Sequence, residues 1–349
     1  MNHNFFSVNN FPIKADRKSY SLFKNWIDVS LTENLNKYYV NGHSKFLNKV
    51  SIKIVQDIDK CKYLWNKFSK RERLYDLWEF RYAFHKAYNF KPYFIVLKSG
   101  NEIVGILPLD YNIKKDVYWW FGGDWQEDNS FFTTNDIYTP LLLFFAPKKL
   151  ELFAIRNLPR SLNAYQRNIV NCDSQYKLDL IQKFTLGNYL DGLKKKKRYN
   201  LKRDIDRILK LNPKIVINNK SDYKQMNTIL MKRFHSKGEL PDFESDPEIS
   251  DAFANVIKNN APYKIRYFSI YIDGRCVATD IVAIYKGVYY ALKGAYDVGD
   301  YSGIGNYIFV KEIEDAIKLG MKEINFLQTD YGWKHKWFQE VPLYQYKTV

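Results

Sequence analysis

Residues 264–320 read KIRYFSIYIDGRCVATDIVAIYKGVYYALKGAYDVGDYSGIGNYIFVKEIEDAIKLG, and the punctuation of this stretch decides the fold. Lys264 to Ile272 alternates and is rich in aromatic and β-branched residues, the pattern of a strand. Asp273-Gly274 follows, the dipeptide that best supplies the positive φ angles of a two-residue hairpin turn. Arg275 to Tyr285 is the return strand, Lys286-Gly287 turns the chain again, and Val288 to Ala295 is a third antiparallel strand. Asp300-Tyr301-Ser302-Gly303-Ile304-Gly305 then leads into Asn306 to Leu319, where Phe309, Ile313, Ala316 and Ile317 recur at helical spacing and Gly320 stops the helix. Glu323 to Leu327 reads as a further short strand.

A glycine turn that opens a helix has a chemical use. The first amide N–H groups of a helix lack partners inside it, and without Cβ atoms a phosphate can approach them closely. Ser302, Gly303, Ile304, Gly305 and Asn306 are therefore the candidate phosphate-binding residues. The competing reading is a tight turn with no ligand, since glycine also serves wherever a strand must turn sharply.

Outward from this stretch, 349 residues with 46% hydrophobic content can bury a large core and form two domains. Aromatic residues make up 17%, which excludes a disordered chain. No window approaches the length of apolar run that spans a bilayer; Leu141 to Ala146 reads as a buried strand or edge. The first residues lack the basic start and apolar run of a signal peptide, so a soluble, cytoplasmic protein is expected. Cys61, Cys172 and Cys276 are scattered and odd in number, which fits a reducing compartment. Neither these nor the five His fall at metal-ligand spacing, and no metal is expected.

The net charge of +16 implies anionic partners. Six units of it lie between Asp191 and Asn212, where nine basic residues face three acids. Read as one helix, 191–212 and its approach carry an apolar stripe of Leu190, Leu201, Ile205 and Ile208, with Lys196, Arg203, Arg207 and Lys210 opposite. That face is either solvated or a contact for phosphate or tRNA.

The first half opens with a polar lead-in to about Asn48, a strand Val50 to Val55 and a helix from Leu64 to Tyr88. Tyr93 to Gly100 then repeats the Tyr-Phe and Gly spacing of Tyr267 to Gly274, and in both places a return strand and a third strand follow. The expectation is an internal duplication, with domains at 1–175 and 176–349. The first copy is degenerate: Phe121-Gly122-Gly123-Asp124 leads to no G-x-G turn before a helix.

Four pieces in order carry a resemblance: the basic run Leu193 to Asp204; Arg233-Phe234-His235-Ser236-Lys237-Gly238; Tyr296 to Gly303 running into the helix; and Asp330-Tyr331-Gly332-Trp333-Lys334. In these the chain resembles the BioF2-like acetyltransferases, which stand with the FemABX group. The resemblance covers roughly 180–340 well and the first half loosely. It implies an α+β fold of two tandem GNAT-like (acyl-CoA N-acyltransferase) domains, with mixed, mostly antiparallel sheets flanked by helices and the donor site in the second. The implied activity is acyl transfer from acyl-CoA to an amine or hydroxyl of a small molecule or cell-envelope precursor, by direct attack. Two alternatives stand beside it: aminoacyl transfer from aminoacyl-tRNA, as in the FemABX peptide-bridge enzymes, and a non-catalytic binding protein that keeps the fold. The GNAT donor turn reads Q/R-x-x-G-x-G/A, and here the leading position is Asp300.

Such chemistry needs a base for the acceptor and a cation or donor for the oxyanion. Alternation along Arg275 to Tyr285 puts Asp280 on one face with Cys276, Ala278, Val282 and Ile284, apolar surroundings that raise a carboxyl toward a useful base. Asp330 and Lys334 follow the last strand, where ligands sit in open α/β sheets. The resemblance assigns Trp333 and Lys334 to the acyl end, Lys334 as the oxyanion cation. Tyr301, beside the glycine turn, is a candidate acid, and Arg233 and Lys237, with Lys196 and Arg203 of the basic run, are candidate substrate contacts. His235 reads as structural.

Overall fold

The computed structural model of the chain describes residues 39–40, 43–44, 50–165, 168–180, 184–259 and 261–348. Apart from a two-residue ladder of β1 (Tyr39–Val40) with β2 (His43–Ser44), the expected polar lead-in to Asn48 lies outside them. Two compact units emerge. One runs to Arg71, resumes at Tyr75–Asp173 and adds Pro342–Val349; the other is Ser174–Val341 with Glu72–Leu74.

In the first unit, β3 (Val50–Val55) leads to α1 (Ile58–Phe68), α2 (Trp78–Ala87), β4 (Lys91–Ser99), β5 (Glu102–Asn112) and β6 (Val117–Trp120). After β7 (Phe132–Thr133) come α3 (Thr139–Phe144) and β8 (Glu151–Ile155). The sheet order is β3-β4-β5-β6, all antiparallel, with β7 added to β5. Both faces of β4 are buried: Phe94 and Val96 pack with Trp65, Trp78 and Phe121, and Ile95 and Leu97 with Trp120 and Leu141 to Leu143.

Two expectations fail here. The helix expected over Leu64 to Tyr88 is broken after Phe68, because the Trp65 indole N–H and the Ser69 hydroxyl both donate to the Asp76 carbonyl, at 2.8 and 2.6 Å, and fold the chain back. The apolar spacing is helical on both sides of that break, so periodicity hides it. Leu141 to Ala146 is no strand; Leu141 to Phe144 lie in α3, which Pro140 opens at its first turn, where a missing N–H costs nothing.

β9 (Ile169–Asp179) begins in the first unit and ends in the second. There follow α4 (Leu186–Gly192), α5 (Lys195–Leu209), β10 (Lys214–Ile217), α6 (Asp222–His235), α7 (Asp242–Ser245), α8 (Pro247–Lys258), β11 (Lys264–Ile272), β12 (Arg275–Tyr285) and β13 (Val288–Tyr296). The chain closes with α9 (Ile304–Lys318), β14 (Glu323–Gln328) and β15 (Gln339–Lys347), whose later residues pair with β8 in the first unit. The basic run 191–212 is thus not one helix: Gly192 ends α4, Leu193 is extended, and α5 starts afresh, leaving Leu190 on a different helix from Leu201, Ile205 and Ile208.

The second unit's sheet runs β10-β11-β12-β13-β14-β9. Hairpins join β11, β12 and β13 antiparallel; β13 and β14 are parallel, which obliges the connection to cross over, and α9 is that crossover. The strands, turn and helix read from 264–320 therefore all form. In both hairpins the turn is two residues long, Gly100-Asn101 in one and Asp273-Gly274 in the other, so the repeated glycine holds a different place in each.

Candidate active site

The site is built where β12, β13 and α9 meet. Two bulges set it up: an extra residue on β12 at Val277, and another on β13 at Leu292. The first breaks the strict alternation expected for β12. Val277 and Ala278 both pack toward α9, and Cys276 instead lies by Tyr271 and Asp222 of α6. Beyond the bulge alternation resumes, so Asp280, between Ala278 and Val282, faces α9.

Asp280 is 1% exposed. Its Oδ1 accepts the Tyr296 hydroxyl at 2.8 Å, and its Oδ2 has no hydrogen-bond partner. Burial pushes the carboxyl up to about 8, with the Tyr296 bond opposing. Room for the pair comes from Gly294, directly opposite on β13: a Cβ there would lie 2.0 Å from Asp280 Oδ1 and 2.1 Å from the Tyr296 oxygen. Glu312 of α9, equally buried, approaches from the helix side, and its acid is pushed well up by burial and then by the charge of Asp280. The buried Tyr289 hydroxyl belongs to the same layer and is raised by burial and by Glu312.

The glycine turn stands at the head of α9. Gly303 has φ +96° and is the residue before the first helical turn. Asp204 of α5 rests on it: a Cβ at Gly303 would meet Asp204 Cβ at 2.9 Å, so both the backbone angle and the close helix approach require glycine. Asn306 donates to Asp204 Oδ2 at 2.8 Å, while Arg203 reaches Asp204 Oδ1 at 3.1 Å and Arg207 reaches the Ser302 hydroxyl at 2.8 Å. Two half-exposed guanidinium groups therefore flank the head of α9. Gly305 is open, with no atom within 4 Å of a Cβ placed there. Asp300 is neutralised. Lys232 pairs with it at 2.5 Å and Arg275 at 3.7 Å, the same two cations that hold buried Asp297, and the Lys232 bond keeps the Asp300 carboxyl below its ordinary range.

The other candidates scatter. Lys334 is buried and donates to the Phe326 and Gln328 carbonyls at 2.5 and 2.6 Å, which fastens it to the end of β14. Trp333 joins an aromatic cluster with Phe309, Phe326 and Phe338. On Asp330, burial raises the carboxyl but the backbone and ring hydrogen bonds from His335 outweigh it and hold it low. Tyr301 packs half-buried with Ile205 and Ile208. Arg233 on α6 has a buried Nε without a partner and acts on Tyr296; Lys237 and Lys196 are exposed, and His235 pairs with Glu244. Glu312, Tyr296, Gly294 and Asp204 were missed by sequence reasoning. Glu312 and Asp204 carried a signal, since each is an acid lying on its helix's apolar stripe.

In the first unit the corresponding turn is closed by the protein itself. Asp110 accepts the Gly122 N–H at 2.8 Å, Gln126 donates to the Gly122 carbonyl at 3.1 Å, and fully buried Arg81 donates to the Phe121 carbonyl at 3.0 Å. Among the described residues no group of three or more His, Cys, Asp or Glu could hold a metal, and no helix is long and apolar enough to cross a membrane.

Residues 195–335 match the family described as Acetyltransferase (GNAT) domain. No curated protein matches the sequence. Among solved structures, FemX is similar at 9% identity and a TM-score of 0.54, covering 85% of this chain and 97% of FemX, a likeness of fold. A conserved protein of unknown function from Bacteroides thetaiotaomicron is 12% identical with a TM-score of 0.49, over 84% of this chain and 98% of that one. A tandem GNAT protein from the clavulanic acid biosynthesis pathway is 8% identical with a TM-score of 0.46, over 85% and 98%. The matched segment holds α5, the bulged strands, the glycine turn and α9, so the similarity to a GNAT acetyltransferase domain falls on the second unit, and the likeness to FemX is one of fold.

Proposed function

We propose that the chain moves an acyl group from acyl-CoA to an amine of a small molecule or cell-envelope precursor by direct attack, with Asp280 as the base. The observation that carries this reading is the buried Asp280 carboxyl, one oxygen held by Tyr296 and the other unpartnered. A base with a raised pKa can take an ammonium or amine proton near neutral pH, and no covalent enzyme intermediate is needed. Ser302 to Asn306 at the head of α9, with Arg203 and Arg207 beside them, would take the donor's pyrophosphate. Asp300 does not oppose this, because Lys232 and Arg275 cancel its charge. Tyr301 is the acid for the leaving thiolate, Trp333 and Lys334 hold the acyl end, Asp330 orders their loop through His335, and Arg233 and Lys237 contact the acceptor. We place the reaction in a reducing cytoplasm, where Cys61, Cys172 and Cys276, none of them in a disulfide among the described residues, would stay thiols.

A second donor, aminoacyl-tRNA, is favoured by one observation: the Asp204 carboxylate already rests at the head of α9, while Lys195, Lys196 and Lys202 lie exposed along α5. A thermal-shift series with acetyl-CoA, longer acyl-CoAs and aminoacyl-tRNA separates the two. Stabilisation by a CoA thioester, with turnover reduced about 10²-fold or more in a folded Asp280→Asn variant, supports the first reading. Stabilisation by aminoacyl-tRNA alone replaces it with the second. Stabilisation by neither returns the fold to a non-catalytic binding role.

A further inference from the structure

Glu312 has no part in the chemistry above, yet it is the second acid buried in the same layer. Asp280 comes from β12 and Glu312 from α9, each 1% exposed, and each leaves one carboxyl oxygen, Asp280 Oδ2 and Glu312 Oε1, without a hydrogen-bond partner. The titratable and charged groups around them are Tyr296 and Tyr289 of β13, Asp315 of α9, Arg266 of β11 and Arg233 of α6. Arg266 is committed to Asp315 through two bonds of 2.7 Å, and Arg233 acts on Tyr296. Among the described residues neither buried acid forms an ion pair. Two carboxylates in a dry layer without a counter-cation cannot both hold a charge at modest cost, so one must keep its proton.

We propose that Asp280 and Glu312 titrate as one unit holding a single proton in the working enzyme, with Glu312 as the proton keeper and Asp280 as the member that changes charge. Its functional meaning rests on the reading of Asp280 as the base; the proton sharing itself does not. Glu312 is then a positioning residue. Kept neutral by the charge on Asp280, it leaves one negative charge in the layer, which the acceptor's ammonium group meets on Asp280. The order of ionisation has a structural cause: the Tyr296 hydroxyl donates to Asp280 Oδ1 at 2.8 Å and favours the charged form of that acid, while burial raises both.

Carboxyl-labelled NMR of the full-length protein tests this without any substrate. In the wild type, Glu312 should remain protonated at a pH where Asp280 is ionised. In Asp280→Asn the Glu312 midpoint should fall by about one pH unit or more, the coupling that defines a shared site. In Glu312→Gln, Asp280 should titrate as a lone group in a single step. A Glu312 already ionised below pH 7 in the wild type overturns the proposal, as does a midpoint unmoved by Asp280→Asn. The wild-type titration needs no variant, so a misfolded substitution leaves the question decidable. Shared titration together with full activity in Asp280→Asn would sink the base assignment and keep the pair; independent titration with an inactive Asp280→Asn would do the reverse.

Discussion

Asp280 is raised to about 8 by burial, against an ordinary value near ~4, and this has two consequences of opposite sign. As a base it must lose its proton to work, so kcat/KM should climb as pH rises through about 8; a profile flat from pH 6 to 9 would argue for another base. For stability, a folded-state pKa above the unfolded one means the folded chain binds the extra proton. That contribution is complete below about pH 4 and is lost as pH rises through about 8. Urea denaturation at stepped pH should show stability falling over this window, and Asp280→Asn should flatten the fall. Lys334 poses a different choice. Its ammonium satisfies the Phe326 and Gln328 carbonyls, so Lys334→Ala should lower stability by about 1–3 kcal/mol for each acceptor left unpaired. Loss of kcat with an unchanged denaturation midpoint would instead mark Lys334 as the oxyanion cation. The burial of Asp280 was legible from alternation, although the bulge at Val277 takes Cys276 off its face; its Tyr296 partner and the Gly294 gap opposite depend on register and were not.

At the scale of elements, the decisive junction is α5 against the head of α9. The G-x-G spacing announced a helix start, and Gly303 at φ +96° begins one. What covers that start could not be read: Asp204 sits there because α5 packs its Leu201 and Ile208 face inward and carries the acid with them. The same packing brings Arg203 and Arg207 to the turn, nearly 100 residues away along the chain. If the turn holds a pyrophosphate, replacing both arginines by Ala should weaken acyl-CoA binding by roughly tenfold for each charge-assisted bond lost, with helix content unchanged. Isothermal titration checks this, and undiminished affinity would place the donor elsewhere. Other elements misled the pattern reader for local reasons. A helical periodicity continued across the Asp76 turn, and the apolar run at Leu141 to Ala146 looked the same as a strand until Pro140 opened it as a helix.

For the molecule as a whole, the +16 charge makes anion attraction unavoidable and leaves its specificity open. If α5 takes tRNA, that association should weaken steeply with salt, and neutralising Lys195, Lys196 and Lys202 to Ala should reduce the slope of log K against log salt by roughly 2 to 3. Filter binding across a salt series measures it; an unchanged slope would mean that α5 is merely a solvated face. The two units share the ladder of three antiparallel strands, yet their turns have opposite fates. Asp110, Gln126 and Arg81 fill the first from within, whereas at the second Gly303 meets Asp204 of α5 and two half-exposed arginines stand beside it.

The sequence by itself determined the local order: strand, two-residue turn, strand, strand, glycine turn, helix, strand. Each follows from side-chain period and from backbone angles that only certain residues adopt, and both are written along the chain. The tertiary structure decided everything that joins distant residues: Glu312 beside Asp280, Asp204 at the head of α9, and Lys232 and Arg275 on Asp300. Burial and Coulomb forces act through space, and the charge a carboxyl carries is settled by neighbours that sequence distance does not reveal.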